Sequence, residues 1–199
     1  MSHWISALRV IKYIKLEPRR GLLMSSDSKP HLTGYCDADW AACPNTRRSV
    51  IGFVLKYGYS LISWKSKKQN TVSRSSAEAE YRSMASLTAE VVWIASLYKE
   101  LRVKLIEPAS IYCDSKVAIQ IAANPVFHER TKHIEIDCHF IREKIKKGLI
   151  QTNYVNTKDQ QANLLTKAHG RSQHEFLLDK LGVLNLFSTS NLRGSIGID

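Results

Sequence analysis

At 199 residues and 44% hydrophobic composition, the chain has the size of one domain and enough apolar material to bury a core. Its 29 Lys and Arg against 18 Asp and Glu leave a net charge of +11, which favours a polyanionic partner over neutral metabolites. No apolar run approaches the roughly 20 residues of a membrane-spanning helix and no secretory signal pattern opens the chain, so an intracellular protein, cytoplasmic or nuclear, with no membrane partner is expected.

Residues 3–16 put Trp4, Ala7, Leu8, Ile11 and Ile14 at helical spacing, with Pro18 marking the end. That helix needs something to pack on, and the expectation is a segment cut from the end of a preceding domain. After a turn-like stretch over 25–30, residues 32–40 read as a strand with Asp37 and Asp39 on one face. Two carboxylates on one face repel unless a metal, a cation or water separates them; the alternative is a solvated turn after a short strand. Residues 49–57 and 60–66 read as two further strands joined through Gly58, which makes the first three an antiparallel meander. Lys65, Lys67, Lys68 and Arg74 flank a polar loop, and Trp64 beside them is either a core residue or a platform for a sugar or base.

The longest helix spans 75–101. Ser75 with Glu78 three positions on is a capping box, which gives Glu78 a structural task. Ala77, Tyr81, Met84, Thr88, Val91 and Ala95 form the inward stripe; Glu80 lies about 60° from its centre against about 100° for Glu78, so Glu80 is the functional candidate. Residues 109–114 are a short apolar strand ending in Asp114, and Ser115 caps a helix over 116–123 that stops before Pro125. A strand ending in Asp at the mouth of a helix is where α/β folds place ligands. A basic amphipathic helix over 131–147, a fifth strand over 150–155 and two closing helices over 158–168 and 172–182 follow, and the tail from 188 is expected to be disordered. Cys36, Cys43, Cys113 and Cys138 lack Cys-x-x-Cys spacing and are expected to be reduced packing residues.

This order of elements resembles the ribonuclease H fold. The resemblance is carried by Gly34-Tyr-Cys-Asp-Ala-Asp-Trp-Ala41, Thr46-Arg-Arg-Ser49, Ile62-Ser-Trp-Lys-Ser-Lys-Lys-Gln69, Ser75-Ser-Ala-Glu-Ala-Glu-Tyr81, Cys113-Asp-Ser115, Arg130-Thr-Lys-His133 and Asn163-Leu-Leu-Thr-Lys167. Over roughly residues 32–168 these blocks are similar to the ribonuclease H domain of Ty1/copia-type retrotransposon Pol, and residues 3–23 look like that family's connection out of reverse transcriptase. The resemblance implies an α/β domain with a five-stranded mixed sheet flanked by helices: a three-stranded antiparallel meander, then two more strands. It divides the chain into a helical remnant of the connection (1–24), the ribonuclease H-like domain (31–168), a C-terminal helix (169–187) and the tail (188–199). It further implies two divalent ions, Mg²⁺ with Mn²⁺ as a substitute, and hydrolysis of the RNA strand of an RNA–DNA hybrid. Asp37 and Asp114 would hold the ions, Glu80 would complete one site, and Trp64, Lys65, Lys67, Lys68 and Arg74 would meet the nucleic acid, with Lys144, Lys146 and Lys147 as further phosphate contacts. Asp39 is the rival to Asp37. In the parent polyprotein a reverse transcriptase domain would be the partner in cis.

One position departs from the family pattern. Where the family carries its fourth acid, this chain has Asn163, which offers a neutral oxygen and would weaken ion binding by about 1–3 kcal/mol. Asp159, Glu135 and Asp137 are alternative acids, read here as helix or cap residues; no histidine stands in the 156–159 loop, and His133 and His139 read as packing or surface residues. Three functions therefore stay open: a hybrid-specific nuclease, a catalytically inactive relic that binds nucleic acid, and a protein-interaction module.

Overall fold

Strand β2 (His31–Asp39), preceded by helix α1 (Ser2–Leu16) and the short strand β1 (Arg20–Leu22), lies at the centre of a five-stranded sheet because both of its edges find partners. On one side β3 (Val50–Tyr57) and then β4 (Ser60–Lys68) pair antiparallel, forming the expected meander. On the other, β5 (Ile106–Cys113) and then β6 (Ile150–Tyr154) pair parallel. The order β4-β3-β2-β5-β6 is the mixed sheet the sequence predicts. The computed structural model describes residues 2–26, 29–124 and 134–185, so the tail from 188 and positions 131–133 lie outside the described residues.

Both faces of the sheet are covered, which accounts for the nearly unbroken apolar run of β3. Helix α2 (Ser76–Glu100) lies on one face, with α3 (Lys116–Ala123) and α4 (Glu135–Lys146) beside it, and buries Tyr81, Met84, Leu87 and Val91 against Cys36, Phe53, Leu55 and Ile111. Gly34 lets that helix approach, since a Cβ there would stand 2.7 Å from Leu87 Cδ2. The Ser75 hydroxyl caps the helix by accepting from Glu78 N at 3.2 Å. Glu78 reaches back to Arg74 N at 2.9 Å, one residue before the expected capping-box donor, and pairs with Arg82.

The other face is covered by two short 3-10 turns, Thr157–Asp159 and Gln161–Leu165, and by α5 (Arg171–Lys180) with β7 (Val183–Asn185). The expected helix over 158–168 is thus replaced by turns. Side chains outcompete the helical ladder here: Asn156 Oδ1 caps the first turn and Gln160 Oε1 the second, while Gln160 Nε2 donates to Cys36 O at 2.9 Å. Strand β7 pairs antiparallel with β1, a two-stranded sheet that the sequence reading missed. The helix over 3–16 forms as expected, but Trp4, Ile11 and Ile14 remain 51–69% exposed. Among the described residues no helix is long and apolar enough to cross a membrane.

Candidate active site

The parallel register of β2 and β5, with Tyr35 opposite Tyr112 and their rings stacked at 5.0 Å, brings the C-terminal ends of both strands side by side. Asp37 thereby comes close to Asp114, the residue after β5. Asp37 is fully buried and faces Gly52 across the antiparallel ladder. A Cβ at Gly52 would meet Thr166 Cγ2 at 2.7 Å, Leu165 Cβ at 3.0 Å and Ala162 O at 3.2 Å, so this glycine lets the second turn settle on the sheet. The turn delivers Thr166, whose hydroxyl donates to Asp37 Oδ2, and Lys167, whose Nζ donates to Asp37 Oδ1 at 2.8 Å. Asn163, also buried, uses both ends of its amide: Nδ2 donates to Thr157 O at 2.9 Å and Oδ1 accepts from Lys167 Nζ at 3.0 Å.

Glu80 enters from α2 on the opposite face. Its Oε1 accepts from Ala38 N at 3.2 Å, and Cys113 Sγ lies 3.8 Å from Oε2. One ligand atom from each of Glu80, Cys113 and Asp114 falls within 4.8 Å of the other two. Burial pushes the Glu80 carboxyl up to about 10, with Cys113, Asp37 and Asp114 adding to the shift. Asp114 is raised by burial as well; a hydrogen bond to Thr157 opposes this, the charge of Asp37 adds to it, and Lys167 opposes it. Burial works against the Lys167 ammonium, but the Asp37 hydrogen bond and the charges of Asp37, Asp114 and Glu80 outweigh it and hold its pKa above the ordinary lysine value.

The Glu80 and Asp114 carboxyls, both raised by burial, lie together where water is scarce, a tension that a divalent cation bound to hard oxygens relieves. Asp37, Glu80 and Asp114 fit such an ion by donor type. The arrangement contains two features that the sequence reading did not assign. Cys113 is a soft ligand atom among the oxygens, and Lys167 already engages Asp37 and Asn163. Lys167 closes the block that begins at Asn163, but nothing in that block's spacing announces a pairing with Asp37.

Other candidates lie elsewhere. Asp39 is half-exposed at the end of β2, and Asp159 is exposed in its turn. Glu135 is 60% exposed and stands 3.9 Å from the exposed His139; Asp137 is half-buried, its carboxyl raised by burial and lowered by Arg82. Lys65, Lys67 and Lys68 are exposed on β4 and, with Gln69, Asn70 and Arg82, line a groove of about 420 Å³ between β4 and α2. Arg74 is exposed before α2. Trp64 is 55% exposed, so it is not a core residue, and because it pairs with Val54 it projects to the face opposite Lys65 and Lys67. Lys144 and Lys147 are engaged with Glu143.

No family model matches the chain. The Pol polyprotein of transposon RE2 from Arabidopsis thaliana is 42% identical over 185 residues, 93% of this chain and 13% of that protein. The Pol polyprotein of transposon TNT 1-94 from Nicotiana tabacum is 32% identical over 182 residues, 92% of this chain and 14% of that protein. The chain therefore spans about an eighth of the length of these relatives. In solved structures, LC11-RNase H1 in complex with an RNA/DNA hybrid superposes with a TM-score of 0.52 at 12% identity, covering 68% of this chain and 93% of that one. The N-terminal RNase H domain of Rv2228c from Mycobacterium tuberculosis does so with 0.51 at 13% identity, covering 76% and 98%. At these identities the likeness speaks to the fold.

Proposed function

The chain belongs to the Pol polyprotein family of Ty1/copia-type retrotransposons as its ribonuclease H-like stretch, and from that premise we propose that it is a metal-dependent nuclease for the RNA strand of RNA–DNA hybrids. The observation that supports this reading is the cluster of Glu80 and Asp114, whose ligand atoms lie with that of Cys113 within 4.8 Å of one another, beside the buried Asp37, whose charge acts on both. Asp37 and Asp114 would hold Mg²⁺ or Mn²⁺, and Glu80, oriented by the Ala38 amide, would complete the site. Bound there, a pair of divalent ions supplies an activated water and stabilises the leaving oxygen. The protein's own part is to bury and fix the carboxylates and, through Lys65, Lys67, Lys68 and Arg74, to hold the phosphates of the hybrid. Asn163, neutral where the family has an acid and bonded to Lys167, weakens the ion site.

Helix α1, with its apolar stripe exposed, supports residues 1–24 as a remnant of the connection to a reverse transcriptase domain in cis. The pairing of Lys167 with Asp37 and Asn163 favours a second reading, a relic that binds hybrid without cutting it. One assay separates the two. Labelled RNA–DNA hybrid is incubated with Mg²⁺ or Mn²⁺ and the wild-type chain, Asp37→Asn or Asn163→Asp. Cleavage that disappears in Asp37→Asn and rises in Asn163→Asp is the outcome expected of a weakened nuclease. Retention of hybrid in a gel shift with no cleavage by any variant overturns the nuclease.

A further inference from the structure

Lys167 offers an ammonium to the same two oxygen-bearing side chains that an ion at the fourth-acid position would use. Its Nζ stands 2.8 Å from Asp37 Oδ1 and 3.0 Å from Asn163 Oδ1. The Asn163 amide cannot turn its oxygen elsewhere without losing the bond from Nδ2 to Thr157 O, so the oxygen stays aimed at the lysine. The two members of the ion pair differ in freedom: the side chain of Asp37 is wholly buried, whereas that of Lys167 is 33% exposed. Asp37 is therefore fixed, and Lys167 has a way out to solvent along its own stem.

We propose that Lys167 is a built-in competitor for the divalent ion, a side chain whose ammonium and a bound cation exclude each other at Asp37 and Asn163. An ion coordinated by Asp37 Oδ1 would stand within a few ångströms of the ammonium, and like charges at that separation repel strongly in a poorly hydrated site. Loading the ion thus requires Lys167 to swing away, and without an ion Lys167 keeps the buried Asp37 charge compensated. This makes the lysine a positioning residue that sets the ion concentration at which the site fills. The inference rests on Asp37 being an ion ligand.

The test uses the full chain and two readouts independent of cleavage: Mn²⁺ binding followed by electron paramagnetic resonance, and thermal unfolding with and without Mg²⁺. Lys167→Met is expected to melt below wild type in the absence of ions, to bind Mn²⁺ at least about tenfold more tightly, and to gain more from Mg²⁺ than wild type does. Lys167→Arg, which keeps the charge, should stay near wild type in affinity. In the wild-type chain the ¹³Cε resonance of Lys167 should shift as Mg²⁺ is added, a readout that survives even if Lys167→Met folds poorly. Equal or weaker Mn²⁺ binding by Lys167→Met, or a Lys167 resonance unmoved while the ion binds, overturns the competition and leaves the nuclease reading standing. Failure of every variant to bind either ion overturns both.

Discussion

Glu80 shows how much a single residue's surroundings decide. It sits beside Glu78 in the helix sequence, and both are nearly buried, but Glu78 meets Arg82 and the Arg74 amide whereas Glu80 meets Cys113 and two other acids. Without an ion its carboxyl is pushed up to about 10 from an unfolded value of 4.5. A carboxyl raised by folding adds its stability fully below the unfolded pKa and loses it as pH climbs towards the folded one. Glu80→Gln, which removes the titration, should therefore stabilise the ion-free chain at pH 8 by on the order of 1–3 kcal/mol and have little effect at pH 4.5, a difference urea denaturation at the two pH values would measure. Helical geometry put Glu80 nearer the buried stripe than Glu78, but the two are equally buried, and it is their partners that tell them apart. Lys167 was not legible, because it reaches its site across 130 positions of sequence and no periodic pattern announces an ion pair made from an irregular turn.

Among the elements, the 157–167 segment best shows tertiary contacts overriding local preference. Residues that would continue a helix in isolation are pinned instead by Gln160 to β2, by Thr166 and Lys167 to Asp37, and by Lys56, whose buried ammonium donates to Gln161 Oε1 at 3.2 Å and to Lys180 O at 2.6 Å at the end of α5. Gly52 is the seat of that segment. Gly52→Ala should cost about 1–3 kcal/mol by overpacking, read from the denaturation midpoint, and should move Thr166 and Lys167 off Asp37. Its requirement for a bare backbone is invisible in the sequence, where Gly52 looks like an interruption in an apolar strand. Capping was legible at Ser75 and Ser115, because a hydroxyl at that spacing has one nearby amide to accept from. At β1 and β7 it was the reverse: three-residue strands have too little pattern of their own and exist by pairing with each other.

For the molecule as a whole, part of the basic excess read from composition lines the groove beside β4 and α2, where Lys65, Lys67 and Lys68 stand exposed. Hybrid binding through Lys65, Lys67, Lys68 and Arg74 should weaken with salt, with a log–log slope of about −3 to −4 for four phosphates on a duplex, and each Lys→Ala should reduce it by about 1. Trp64→Ala, on the other face of the sheet, should leave the slope unchanged; a filter-binding titration from low to high salt checks both. The α/β architecture and strand order were legible because each strand carries its own alternation or apolar run, whereas the second small sheet depended on residues 163 positions apart meeting. That meeting has a topological result. Arg20 lies across from Asn185, so the strand that follows α1 and the last described strand run side by side. A longer polypeptide could enter and leave this module at a single seam, as a thread passes through one knot, and a permuted gene that joins those neighbouring strands and opens a surface loop instead should keep the same architecture.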